Sequence, residues 1–145
     1  MLEQVASMFD GMQAMMKKLK KVPYEERMTE FRQRNGHFFE EMTAYLDSRD
    51  KKEEAAREVA SVFVGAVKER FTSKGKIRGP VQADLNFFMI YYVFPAILLT
   101  EHSQAKLLAD TLCEVWGKTF KKAKIGYTDY DTLYHSFNEK IWGIF

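Results

Sequence analysis

The stretch NFFMIYYVFPAILL, residues 86–99, constrains the fold more than any other part of the chain. From Phe87 to Leu99 it holds thirteen apolar residues without a break, and Pro95 lies among them. A membrane-spanning helix needs about 20 such residues, and the polar residues on either side prevent extension. We therefore expect a helix that does not span a membrane and that is surrounded on all sides by other helices.

Length and composition extend this expectation to the whole chain. A chain of 145 residues with 46% apolar and 29% charged residues is typical of one soluble globular domain. Glycine and proline together number only eleven, so turns are few and helices are long. The sequence predicts an all-α fold, a single helical domain over residues 1–145. It is a bundle of about six helices around a buried, Pro-kinked central helix at about residues 80–100.

Apolar periodicity gives the expected bounds of the other helices. Helix 1 runs over about residues 2–21, where Leu2, Val5, Phe9, Met12, Met16 and Leu19 recur at spacings of 3 and 4. Helix 2 begins at Pro23 and keeps one apolar phase across Asn35-Gly36, which favours one bent helix over two pieces. Helix 3 covers about residues 50–71. Ser103 and Thr128 are the expected N-caps of helices 5 and 6.

Cysteine usage and the N-terminal sequence indicate the compartment. A single cysteine, Cys113, excludes an internal disulfide framework and fits a reducing cytoplasm. The first residues lack the pattern of a secretory signal peptide. We therefore predict a cytoplasmic protein. Cys113 lies in a helical apolar stripe, which indicates a buried, inert thiol rather than a nucleophile.

The most suggestive catalytic or metal pattern is Asp131, His135 and Glu139, spaced four residues apart on helix 6. At about 100° per residue these side chains point away from the apolar stripe of that helix and into water. The chain contains no glycine-rich phosphate loop, HExxH pair or nucleophile elbow. The sequence therefore supports no catalytic residue, no metal ligand and no cofactor, and it favours a non-enzymatic protein.

Pro95 leads to the first functional hypothesis. Proline lacks an N–H and crowds the carbonyl four residues earlier, so the Tyr91 carbonyl must find a donor: a neighbour, a water or a ligand. Apolar walls with a few polar groups are typical of small-molecule pockets. We expect a binding domain, with a regulatory role, that holds an apolar or aromatic small ligand at Phe88, Tyr91, Tyr92, Phe94 and Pro95. The alternative is an ordinary kinked core helix.

The distribution of charge leads to the second hypothesis. Net charge is only +2, but three windows at the expected ends of helices 1, 3 and 5 hold thirteen of the 22 basic residues. If consecutive helices alternate in direction, these ends share one pole. That pole could bind nucleic acid, anionic lipid or an acidic protein, although lysines there also complement helix dipoles. The candidate anion-binding residues are Lys17, Lys18, Lys20, Lys21, Lys74, Lys76, Arg78, Lys118, Lys121, Lys122 and Lys124.

Apolar residues at the chain ends lead to the third hypothesis, a homo-oligomer (a dimer, for example) or a partner interface. The C-terminal sequence KIWGIF places Trp142, Ile144 and Phe145 at one end of the chain, and such a patch is unusual on the surface of a monomer. Seven of the eight methionines lie in residues 1–42, and methionine-rich faces adapt to partners. Helix 1 or the C-terminal helix would form the interface.

Overall fold

The computed structural model of the protein describes residues 1–12, 14 and 22–120, and within them the fold is all-α, as predicted. Five helices are present in this part of the chain: α1 (Leu2–Asp10), α2 (Tyr24–Asp47), α3 (Lys52–Phe71), α4 (Gly79–Leu98) and α5 (Ala105–Thr119). The expected sixth helix lies outside the described residues. One hydrophobic core joins all five helices.

Two glycines in the expected helices behave differently. Gly36 lies inside α2, which continues through Asn35-Gly36 as predicted, with the Asn35 side-chain amide donating to the Phe31 carbonyl at 3.1 Å. Buried phenylalanines on both sides of this pair outweigh the roughly 1 kcal/mol that glycine costs inside a helix. Gly11, in contrast, is the C-cap of α1. The first helix therefore ends at Asp10 rather than running unbroken over residues 2–21, although Met12 and Ala14 beyond Gly11 are again helical. Glycine is a weak helix former.

The N-cap of α5 also differs from the prediction. The helix begins at Ala105, with Gln104 at the N-cap position and no side-chain capping bond. Ser103 instead donates its hydroxyl to a carboxylate oxygen of Asp47 at 3.3 Å, at the end of α2. Ser103 thus lies one residue before the N-cap, and its hydroxyl joins two distant segments instead of capping the helix.

Consecutive helices alternate in direction. The C-terminal ends of α1 and α3 meet in an ion pair between Asp10 and Arg70, at 2.8 Å. Near the opposite end, Asp47 accepts the Ser103 hydroxyl, and its carbonyl accepts a hydrogen bond from Lys52 Nζ at 3.0 Å. The starts of α3 and α5 therefore lie together, and the odd-numbered helices run in one direction.

The central helix of the core is α4. The Phe88 ring lies 4.8 Å from the Phe9 ring of α1 and 5.5 Å from the Phe31 ring of α2, measured between centroids. On another side, the Trp116 indole of α5 donates to the Asn86 side-chain carbonyl at 2.8 Å. These contacts place α4 between three other helices, as its uniform apolar sequence predicted.

By length and composition alone, Gly79–Leu98 would be long and apolar enough to cross a membrane, and 56% of its most apolar window is buried inside the protein. The core helix of a globular protein has the same properties. The predictions that this helix does not span a membrane and that the protein is cytoplasmic both stay predictions.

Candidate ligand-binding cleft

The five residues of the predicted pocket lie together in α4. Phe88, Tyr92, Phe94 and Pro95 are buried, and Tyr91 is half-buried. The Phe88 and Tyr92 rings stack with centroids 5.4 Å apart, and Phe31 packs edge-on against both of them at 5.5 Å. Aromatic side chains thus fill the space toward α2, and a direct role of these five residues in holding a ligand stays a prediction.

The interruption expected at Pro95 takes the form of a π turn. Residues Met89–Val93 are wound as a π-helix between two α-helical segments, Gly79–Phe88 and Phe94–Leu98. The Phe94 N–H donates to the Met89 carbonyl, five residues back rather than four. This wider turn comes immediately before the proline, whose ring cannot follow regular α-helical packing on Tyr91. Turns of this kind are frequent at functional sites.

A buried arginine contacts the π turn from α2. Arg27 is only 2% exposed. It donates from Nη1 to the Tyr92 hydroxyl at 2.5 Å and from Nε to the Val22 carbonyl at 3.0 Å. Arg27 lies four residues before Phe31 and therefore on the same inward face of α2. The bond to Tyr92 links the first turn of α2 to the widened turn of α4, and the bond to Val22 ties Arg27 to the residues just before α2.

A cleft of about 250 Å³ opens between α1 and α2, beside Arg27. Because α1 packs chiefly against α3, space remains along its side facing α2. Small residues on the α1 side, at spacings of four and three, keep that space open. The cleft is lined by Ser7, Met8, Gly11, Ala14, Arg27, Glu30, Phe31, Arg34 and Asn35. It therefore combines an apolar floor with convergent polar and charged groups.

The two guanidinium groups occupy different depths in this cleft. Arg27 is buried at its inner end, whereas the Arg34 side chain is 76% exposed at its mouth. Arg34 pairs with Glu30 at 3.1 Å, one turn earlier on α2. An exposed ion pair of this kind contributes at most about 1 kcal/mol. The Arg34 guanidinium is therefore available to a stronger acceptor, and the cleft as a whole carries positive charge.

The Tyr92 hydroxyl has an altered acidity that can be tested. Burial raises the pKa of the Tyr92 phenol above its ordinary value, and the neighbouring Arg27 charge offsets part of that rise. Because the folded protein holds the phenol proton more tightly than the unfolded chain does, this stabilisation is complete below about pH 10 and is lost as the pH rises through the folded pKa. Urea unfolding across that range should show a declining free energy of unfolding in the wild type and a flatter profile in Tyr92→Phe.

Tyr91→Phe is the matched control for this measurement, because it removes a hydroxyl from the preceding residue of the same turn and leaves the Tyr92 phenol in place. We expect Tyr91→Phe to keep the wild-type decline. A Tyr92→Phe profile parallel to that of the wild type would show that the buried phenol does not cause the decline.

Sequence reasoning missed Arg27 because charged residues were not counted in the apolar stripe of helix 2. Its spacing of four from Phe31 was the available signal. Ser7, Gly11 and Ala14, at spacings of four and three, were a second signal for a groove on helix 1.

Part of the predicted basic pole lies in the α3–α4 connection. Lys74, Lys76 and Arg78 are exposed there. Lys74 and Gly75 have φ values of 54° and 76°, and Ser73 and Lys76 exchange two backbone hydrogen bonds of 2.9 and 3.1 Å around them. This is the pattern of a two-residue type I′ turn, in which both central residues are left-handed.

Of the remaining residues of the basic pole, Lys118 lies in the described part of the chain. Lys118 pairs with Glu114 at 2.8 Å. The helices α3 and α5 start side by side, but α3 has 20 residues and α5 has 15. Lys118, near the end of α5, therefore does not reach as far along the bundle as the end of α3. The other seven, Lys17, Lys18, Lys20, Lys21, Lys121, Lys122 and Lys124, lie outside the described residues. The anion-binding pole therefore stays a prediction.

The described residues give little sign of catalytic chemistry. In residues 1–12, 14 and 22–120, no group of three or more histidine, cysteine, aspartate or glutamate side chains is placed to hold a metal ion. Cys113 is half-buried, and burial, followed by the nearby Asp110 charge, raises the pKa of its thiol. The thiol form is therefore favoured at neutral pH, in line with an inert cysteine. Asp131, His135 and Glu139 lie outside the described residues.

The predicted interfaces involve helix 1, which is partly described, and the C-terminal helix. Among the described residues, three large apolar side chains are exposed: Met1 and Leu2 at the start of α1, and Val62 in the middle of α3. The C-terminal segment with Trp142, Ile144 and Phe145 lies outside the described residues. Oligomerisation through helix 1 or the C-terminal helix therefore stays a prediction.

Compared with known protein families, curated proteins and solved structures, the chain matches none.

Proposed function

We propose that the protein is a non-enzymatic helical binding domain that holds a small apolar or aromatic ligand in the cleft between α1 and α2. The observation that carries this proposal is the cleft itself, with Met8 and Phe31 in its floor and a few converging polar side chains around them. Because the rings of Phe31, Phe88 and Tyr92 pack against one another between α2 and α4, the proposed ligand lies on the other side of Arg27. A volume of about 250 Å³ suits a molecule of one or two rings.

The lining chemistry favours binding over catalysis. Glu30 is the one carboxylate among the lining residues that the structure describes, and it is paired with Arg34. Guanidinium groups remain protonated at any physiological pH, so Arg27 and Arg34 orient and neutralise rather than transfer protons. Positioning without proton transfer is what a binding site requires.

A regulatory role is supported by the position of Arg27. Its side chain lines the cleft on one side and contacts Tyr92 of the π turn on the other. A ligand that binds Arg27 more tightly while Arg27 holds Tyr92 would favour one arrangement of α4 over another and would shift the population toward it. The domain would then report ligand binding through its central helix.

A screen of one- and two-ring compounds, both charged and neutral, tests the proposal. A true ligand present at about a hundred times its Kd should stabilise the fold by about 2.7 kcal/mol, which corresponds to several degrees in Tm. Ligand-observed NMR should confirm binding. Ser7→Trp places a bulky side chain at the rim of the cleft and should abolish both signals.

Ala44→Trp is the matched control, since Ala44 is exposed on α2 and does not line the cleft. We expect this variant to bind like the wild type. The proposal fails if no compound binds, or if the hits bind Ser7→Trp as tightly as they bind Ala44→Trp.

A further inference from the structure

We infer that the ligand of the α1–α2 cleft carries one carboxylate group on an aromatic or apolar body, and that Arg27 and Arg34 receive this carboxylate. The inference rests on the proposed function and names the chemical class of its ligand. It is carried by the juxtaposition of two guanidinium groups at different depths of one small cleft above the apolar floor of Met8 and Phe31.

The deeper guanidinium supplies the directional attraction. Arg27 is held in place by its bonds to the Val22 carbonyl and the Tyr92 hydroxyl, so its orientation is already determined before a ligand arrives. Its burial lowers the local dielectric, and a charge acts more strongly there than in water. A planar guanidinium matches the geometry of a carboxylate better than an ammonium does.

The outer guanidinium, that of Arg34, contributes to the net charge that the ligand must neutralise. Arg34 at the mouth is paired with Glu30 in the free protein through an exposed bond of 3.1 Å. Among the described residues that line the cleft, two guanidinium groups and one carboxylate give a net charge of +1. A monocarboxylate neutralises that charge, whereas a phosphate monoester, with a charge of about −1.5 to −2, would exceed it and would face Glu30 as well.

The wall and floor orient the rest of the molecule. The Ser7 hydroxyl lies on the α1 side of the cleft, and the Asn35 amide is bonded to the Phe31 carbonyl at 3.1 Å on the α2 side. With the carboxylate toward the arginines, the apolar body of the ligand meets Met8 and Phe31. A ring there removes apolar surface from water on both partners.

The test compares 2-naphthoate with 2-naphthalenemethanol, which share one ring system and differ in charge. Isothermal titration calorimetry should show at least about tenfold tighter binding of the acid, the usual scale for a charged hydrogen-bonded group. Added salt should weaken binding of the acid more than that of the alcohol. 2-Naphthyl phosphate should bind more weakly than 2-naphthoate.

Two variants on the exposed side of α2 test the role of charge, and a third is their matched control. Arg34→Gln should weaken 2-naphthoate about fivefold, and Glu30→Gln should strengthen it by a similar factor, because one removes a positive charge and the other a negative one. Arg32→Gln changes the net charge as Arg34→Gln does. Since the Arg32 guanidinium reaches toward the Leu99 carbonyl and does not line the cleft, this variant should bind 2-naphthoate like the wild type.

The outcomes separate this inference from the proposed function. Equal affinities for the acid and the alcohol, or equal weakening by Arg34→Gln and Arg32→Gln, would overturn the anionic class and leave the cleft as the binding site. Failure of both compounds to bind at millimolar concentration would also overturn the class. Tighter binding of the naphthyl phosphate would replace a carboxylate by a phosphate. The proposed function itself depends on the Ser7→Trp result.

Discussion

Replacing Phe88 by alanine should lower the free energy of unfolding by about 3–5 kcal/mol, the range for removing a fully buried phenylalanine. Phe88 has no exposed surface. Its ring is surrounded by the rings of Phe9, Phe31 and Tyr92, from α1, α2 and the π turn, at centroid distances of 4.8, 5.5 and 5.4 Å. Because these rings are held by α1, by α2 and by the next turn of α4 itself, they cannot all move inward to fill the cavity, and the loss should fall in the upper half of that range.

Phe87→Ala is the matched control for this substitution. It removes the same side chain from the preceding residue of the same helix, so the change in helix propensity is identical. Phe87 is only half-buried, and its ring centroid lies 4.2 Å from that of Tyr91. Urea unfolding should therefore give a loss of about 1–2 kcal/mol for Phe87→Ala. Equal losses in the two variants would contradict the placement of Phe88 at the centre of the core.

Much of the fold followed from the sequence because each helix buries one face. The spacing of apolar residues in helices 2 and 3 gave their positions to within a few residues, and the run around Pro95 identified the central helix. Asn35-Gly36 was read correctly as helix, since Phe31 and Phe38 on either side keep one apolar phase. Packing of a continuous face outweighs local helix propensity, and periodicity records that face.

The π turn and the caps could not be predicted in the same way. A proline predicts that the regular hydrogen bonding of a helix is interrupted. A kink, a break and a π-helical turn are all compatible with that interruption. Tyr92 lies in the turn and is bonded to Arg27, 65 residues away in the chain. Similarly, Ser103 donates to Asp47, 56 residues away, and does not cap its own helix. Periodicity within one helix carries no information on contacts between such distant segments.

The cleft was beyond sequence reasoning for a related reason. Its two walls come from α1 and α2, and its depth depends on how far apart these helices lie. Periodicity gives the inward face of each helix and not the distance between two faces. The sequence placed a ligand beside Pro95 because aromatic residues are concentrated there, whereas the structure fills that region with packed rings and opens space on the far side of Arg27.

Replacing Arg27 should cause the second large loss of stability. Arg27→Met should lower the free energy of unfolding by about 3 kcal/mol, because hydrogen bonds to charged groups contribute roughly 1.5–3 kcal/mol and their removal leaves a buried acceptor without that donor. Arg27→Lys should cost less, since a single ammonium keeps the charge but cannot reproduce both bonds of the guanidinium. Arg32→Met, at an exposed position of the same helix, should stay within about 0.5 kcal/mol of the wild type.

A double-mutant cycle with Tyr92→Phe isolates the bond between Arg27 and Tyr92. Each single variant leaves one buried polar partner behind, whereas the double variant Arg27→Met/Tyr92→Phe removes both. Replacing a buried polar pair by apolar side chains of similar size is often nearly neutral, so the double variant should lose about 1–2 kcal/mol less than the two single variants together. Additive losses would mean that the contact contributes nothing to stability. Such a contact could not couple the cleft to the π turn. A ligand shifts the population of two arrangements of α4 only if the contact contributes a different free energy in each.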